Sequence, residues 1–280
     1  MLNNQLQQTI ARDVLRALEE DIGSGDLTAL LIPATQLAEA SIISREAAIV
    51  CGMPWAERCF RTQDATVNID WLVAEGERVQ PDQTLCRISG NARALLTAER
   101  CALNFLQTLS ATATITRLYA DAIVGTKARI YDTRKTLPGL RLAQKYAVTV
   151  GGGMNQRIGL YDGILIKENH IAAVGSIATV LQAARAINRE VSTQIEVETL
   201  SQLEAALQAG AKLILLDNFN LQDLRAAVSL NAGRAILEAS GGITLENVRE
   251  IAHTGVDRIS IGGLTKHVQA IDLSMRFSGG

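Results

Sequence analysis

TQIEVETLSQLEAALQAGAKLILLDN, residues 193–218, reads as strand, helix, strand. TQIEVE (193–198) and AKLILLDN (211–218) are short runs rich in β-branched and aliphatic residues, while SQLEAALQAG opens on a Ser cap and closes on Gly. The same rhythm extends in both directions. ARIYDT (128–133), GILIKEN (163–169), RAILEAS (234–240) and RISIGG (258–263) are further strand candidates. SIATVLQAARAIN (176–188) and TLENVREIAHTG (244–255) are further helices. Alternating βα units give a parallel sheet with right-handed crossovers. A complete eight-unit barrel takes ~250 residues. About six units follow Gly125, so the expected α/β architecture is an incomplete (β/α) barrel, with a doubly wound open sheet as the alternative.

Upstream the pattern differs. Residues 1–22 form an amphipathic helix with Ile10, Val14, Leu15 and Leu18 on one face, stopped by GSGD at 23–26. ASIISREAAIV (40–50), ATVNIDWLV (65–73) and QTLCRISG (83–90) are β-like, with EGERVQPD (75–82) as a turn. Nothing breaks a helix from Ala92 to about Val124, a stretch expected to join two parts of the chain.

Composition narrows the function classes. Of 280 residues, 48% are hydrophobic and 20% charged, enough apolar surface for a large core and far from a disordered composition. No apolar run approaches the ~18–20 residues that cross a bilayer. Arg12, Asp13 and Arg16 interrupt the apolar positions of the first helix, unlike a signal peptide. Cys51, Cys59, Cys86 and Cys101 have neither CxxC nor metal-ligand spacing, so a reduced, cytoplasmic protein is expected. The net charge of −2 argues against a general nucleic-acid binder. Residues 100–170, however, carry ten Lys or Arg against four Asp or Glu, which points to a small anionic ligand.

The strand ends carry the chemistry. The first barrel strand runs into Asp132-Thr133-Arg134-Lys135, the second carries Lys167, and the third Glu196 and Glu198. The fourth ends on Asp217-Asn218, the fifth on Ser240-Gly241-Gly242 and the sixth on Gly262-Gly263. Ligands of parallel α/β folds meet the carboxyl ends of the strands, so six such ends describe one pocket. Arg134, Lys135, Arg157 and Lys167 suit phosphate or carboxylate. The two glycine turns bring backbone N–H groups close to an anion, each expected to lead into a helix start. Glu196 and Asp217 could hold Mg²⁺, bind ribose hydroxyls or stabilise a developing cation; the bland reading is that they neutralise Lys167. There is no GxxxxGK[ST], HExxH or GxSxG motif, and Gly151-Gly152-Gly153 does not open a dinucleotide fingerprint. His170 is placed to orient its neighbours, and His253 and His267 to pack or face solvent.

DTRKTLPGLRLAQKYAV (132–148), GGGMNQRIGLYDGILIKENHI (151–171) and LLDNF (215–219) resemble the quinolinate phosphoribosyltransferase family. LTAERCALNFLQTLS (96–110) and GGLTKHVQAIDLSMRF (262–277) extend the likeness. The resemblance implies an N-terminal α/β sandwich over 1–115, an incomplete α/β barrel over 116–269, and a tail at 270–280 packing back on the first domain. It also implies transfer of a phosphoribosyl group from phosphoribosyl pyrophosphate to quinolinate, with loss of CO2, in NAD biosynthesis, and a need for Mg²⁺. Arg100, Arg134, Lys135, Arg157 and Lys167 fall where the family grips the quinolinate carboxylates and the diphosphate, beside Thr133. Glu196 and Asp217 fall at the ribose and metal, and Ser240, Gly241, Gly242, Gly262 and Gly263 at the 5′-phosphate. Lys135, Lys167, Glu196 and Asp217 are the expected catalytic set. Because Arg100 lies on the long helix, the resemblance implies a homodimer with shared sites. The chain departs from the family pattern at Gln156, which stands in place of a histidine. Gln156 is expected to bond ligand or a neighbouring cation without titrating. Two other readings stay open: a Schiff-base aldolase using Lys167, and a non-catalytic relative that binds an anionic metabolite.

Overall fold

The computed structural model describes residues 4–188 and 190–278. Its chain forms two units: Met1–Ile115, Leu137–Gly151 and Thr265–Gly280 make the first, Thr116–Thr136 and Gly152–Leu264 the second. The sequence points to a barrel that includes 137–151 and 265–269, but the contacts of both stretches place them in the first unit.

The first unit centres on β1 (Leu37–Ser44), where Ala40, Ile42 and Ser44 are buried and the residues between them are not, the alternation of a sheet covered on one face. The tract 40–50 is not one strand: a break at Arg45–Ala47 separates β1 from β2 (Ala48–Ile49). The sheet continues with β3 (Asn68–Trp71) and β5 (Thr84–Asn91), and the last strand, β12 (Leu273–Phe277), pairs antiparallel with β1, Ile42 opposite Met275. The order is β12-β1-β5-β3. β4 (Arg78–Val79) lies inside the stretch expected to be a plain turn and pairs with β2.

Helices cover this sheet. α1 (Asn4–Ile22) buries Ile10, Val14 and Leu18 at four-residue spacing. Leu15 does not join them: it is 53% exposed, about 100° around the helix from Val14. α2 (Met53–Gln63) buries Trp55, Ala56, Cys59 and Phe60. Its first N–H groups, from Gly52 and Met53, donate to the Glu75 carboxylate at 2.8 and 3.1 Å. α3 (Ala92–Ala122) is one unbroken helix of 31 residues. α4 (Arg141–Val150) adds Ala143 and Ala147 to the same core as Ile42, Ile88, Trp55 and Leu106.

In the second unit β6 (Arg129–Tyr131), β7 (Ile164–Ile166), β8 (Thr193–Val197), β9 (Leu213–Asp217), β10 (Ile236–Ser240) and β11 (Arg258–Ser260) are all parallel. The order β7-β8-β9-β10-β11-β6 is a ring taken in chain sequence. Each adjacent pair is bonded, and β11 closes on β6; among the described residues only β6 and β7 share no ladder. A doubly wound sheet reverses its strand order at a switch point, so this is the incomplete barrel. Leu213, Ile214, Leu215 and Leu216 are all buried, as a strand covered on both faces requires. α5 (Glu168–Val174), α6 (Ile177–Ile187), α7 (Leu200–Gln208), α8 (Leu221–Asn231), α9 (Val248–His253) and α10 (Gly263–Lys266) follow the strands. Ser176, Thr199 and Asn220 cap α6, α7 and α8, each side chain accepting from an N–H three residues on. No single helix among the described residues is long and apolar enough to cross a membrane.

Candidate active site

A cavity of about 640 Å³ opens at the carboxyl strand ends of the second unit. Strand periodicity builds its floor. Residues two apart on a strand share a face, so Gln194 and Glu196 on β8, Glu238 and Ser240 on β10, and Arg258 and Ser260 on β11 all line it. The register places Glu196 beside Leu215, Leu215 beside Glu238 and Glu238 beside Arg258 in one layer. Arg258 also lies 4.6 Å from the centre of the Tyr131 ring.

Thr133, Arg134, Lys135, Gln156, Arg157, Lys167, Glu196 and Ser240 are brought together around this cavity. Thr133 shapes its own loop, its hydroxyl accepting the Lys135 N–H at 3.1 Å. A methyl on Gly262 would lie 2.9 Å from Lys135 Cδ, so a larger residue there would push the lysine side chain aside. Lys167 stands just past β7, its ammonium 3.2 Å from Glu196 Oε2. His170 holds the lysine backbone: its Nδ1 accepts the Lys167 N–H at 3.0 Å. Burial raises the Glu196 pKa, the Lys167 hydrogen bond and charge lower it, and Asp217 and Glu168 raise it further. Burial lowers the Arg157 pKa, the like charge of Arg134 adds to the effect, and the Asp162 carboxylate opposes it.

The other expected residues sit apart from the lining. Asp217 is bonded by the Asn218 amide at 2.8 Å, and the Asn218 N–H donates to Ser240 O at 2.9 Å. Gly241 has φ +93° and packs directly on Asn218, with no room for a β-carbon. Gly262-Gly263 leads straight into α10, but Gly242 is followed by five residues before α9, contrary to the expected helix start. Arg100 is exposed on α3 in the first unit and is not among the lining residues. Among the described residues no group of three or more His, Cys, Asp or Glu is placed to hold a metal.

Gln156 has partners that its place in the motif does not name. Nε2 donates to Glu238 at 2.7 and 2.6 Å and to Gln194 Oε1 at 3.1 Å. Gln194, Glu238, Arg258 and Ser260 were not legible as site residues from the strand ends. Their signal was a polar side chain at every second position of strands otherwise apolar.

An incomplete barrel with a cationic cavity at its strand ends is an enzyme architecture suited to densely anionic small molecules. Residues 26–110 match the N-terminal domain, and 112–276 the C-terminal domain, of quinolinate phosphoribosyl transferase. The chain is 44% identical to the nicotinate-nucleotide pyrophosphorylase [carboxylating] of Mycobacterium leprae over 95% of its length and 96% of that protein. A probable enzyme of the same name from Bacillus subtilis is 42% identical over 91% of this chain and 89% of its own. The solved nicotinate-nucleotide pyrophosphorylase from Francisella tularensis superposes with a TM-score of 0.94 at 43% identity, covering 97% of each chain. The chain belongs to the quinolinate phosphoribosyltransferase family.

Proposed function

We propose that this chain transfers the phosphoribosyl group of phosphoribosyl pyrophosphate to quinolinate, giving nicotinate mononucleotide, pyrophosphate and CO2 for NAD biosynthesis. The observation that carries this is the cavity where Arg134, Lys135, Arg157 and Lys167 meet Glu196, in a chain of this family. Arg134 and Arg157 bind the pyridine dicarboxylate, whose charge relieves their mutual repulsion. The ring nitrogen's lone pair forms the bond to the anomeric carbon as the bond to pyrophosphate breaks. Glu196, held by Lys167, lies where a carboxylate stabilises the developing positive charge on the ribose. The bond from the ring to the 2-carboxylate then breaks, its electron pair stays on the ring carbon beside the cationic nitrogen, and that carbon takes a proton from solvent. Lys135 and the glycine turns at Ser240–Gly242 and Gly262–Gly263 receive the phosphates.

Glu196 and Asp217, close enough to repel, fit Mg²⁺, which binds through one or two carboxylates and substrate phosphates. Mg²⁺ would supply neutralisation of the leaving diphosphate. The exposed position of Arg100 supports a homodimer in which it serves a partner's site. Four buried, unpaired cysteines support a cytoplasmic setting. Lys167 is half-exposed and faces a carboxylate, not the desolvated amine of an aldolase. Formation of nicotinate mononucleotide from the two substrates and Mg²⁺ tests the proposal; its absence at saturating substrate would favour a binding-only relative.

A further inference from the structure

The gap between β6 and β7 is filled by residues 152–163, which form neither helix nor strand; their one ladder contact is the Tyr131–Met154 bridge. A segment without a ladder is held by its side chains. This one carries Arg157, whose charged form burial and Arg134 disfavour and Asp162 favours, so where the guanidinium sits depends on how the segment is held. Its own Nη1 donates to Gly163 O at 2.9 Å. The residue before it is pinned at two points. The Gln156 N–H donates to buried Asp132 at 2.8 Å, and its side-chain Nε2 donates to both oxygens of Glu238 and to Gln194. Gln194 Nε2 completes the cluster with a 3.0 Å bond to Glu238 Oε2.

Glu238 is fully buried on β10, between Leu215 and Arg258 in register; burial raises its pKa, and the Gln156 and Gln194 hydrogen bonds and the Arg258 charge oppose that. Packing alone does not call for a carboxylate there, since an apolar side chain would avoid its desolvation cost. We infer that Glu238 is a positioning residue of the substrate grip, acting through Gln156 to hold the segment that presents Arg157. It also fixes the Gln156 amide: with Oε1 turned inward, two oxygens would oppose each other. The inference deepens the proposed function and rests on its assignment of Arg157 to the pyridine dicarboxylate.

Steady-state kinetics of Glu238→Gln, Gln156→Leu and the double variant test it. Breaking the Gln156–Glu238 contact should raise the KM for quinolinate about tenfold in each single variant. The KM for phosphoribosyl pyrophosphate should stay within about twofold, and the double variant should be no worse than the worse single one. Additive losses, or equal rises in both KM values, would overturn the inference. If Glu238→Gln does not fold, Gln156→Leu cuts the same bonds from the cavity side, and an unchanged KM for quinolinate there overturns it equally. Hydrogen exchange separates this from the function itself. Glu238→Gln, or Gln156→Leu in its place, should speed exchange in 152–163 whether or not the wild type turns over; unchanged exchange there refutes the positioning role.

Discussion

Removing the Lys167 ammonium tests the site electrostatics from two sides. At 3.2 Å and an effective dielectric of about 20, the Lys167–Glu196 attraction has an upper bound of roughly 5 kcal/mol. The Lys167 side chain is 47% exposed and that of Glu196 only 11%, so solvent screening leaves about 1–2 kcal/mol. In Lys167→Ala, Glu196 keeps its burial and its repulsion by Asp217 and Glu168 but loses the two influences that lower its pKa. A carboxyl whose folded pKa lies above its unfolded value destabilises the fold when ionised, and that penalty fades as pH falls through the folded value. Lys167→Ala should therefore be less stable than wild type by about 1–2 kcal/mol near neutral pH, with the deficit shrinking as the pH falls into the acidic range. Urea melts across this range read the effect, and turnover should fall on the order of 100-fold or more. A deficit that is constant with pH, or turnover near wild type, would refute the reasoning.

Gly241→Ala must hold alanine at φ +93° against Asn218; the KM for phosphoribosyl pyrophosphate should rise roughly tenfold or more, with quinolinate less affected. Ile42→Ala, at a fully buried position of the first unit's core, should cost about 2–5 kcal/mol in denaturant melts and leave both KM values alone. Refolding Arg100→Ala together with Lys167→Ala should restore activity, because each mixed dimer would hold one intact site; a dead mixture would place Arg100 at its own subunit's site.

Much of the barrel was legible because both of its signals are local. Strand runs such as AKLILLDN carry their own length and apolarity, and their Ser, Thr and Asn caps lie within four residues of the N–H groups they receive. Ligand chemistry at strand ends could be read by residue type, which gathered Arg134, Lys135, Arg157, Lys167 and Glu196. What escaped depends on distance in the chain. α2 starts where Glu75, 22 residues on from Met53, caps its N–H groups. The return of 137–151 to the first unit leaves no mark in its own residues. Gln156 was read by its place in a motif, but its partners lie 38 and 82 positions away. The floor residues had a signal, polar side chains at alternate positions of apolar strands, which attention to strand ends passes over.

The central claim is that one cavity joins phosphoribosyl transfer to decarboxylation. Quinolinate labelled in its 2-carboxylate tests this most directly, with released CO2 and pyrophosphate counted in the same vessel. The account predicts equal amounts of each, no CO2 without phosphoribosyl pyrophosphate, and loss of both products together in Lys167→Ala. CO2 released without phosphoribosyl pyrophosphate, or pyrophosphate released in the presence of quinolinate without CO2, would contradict it.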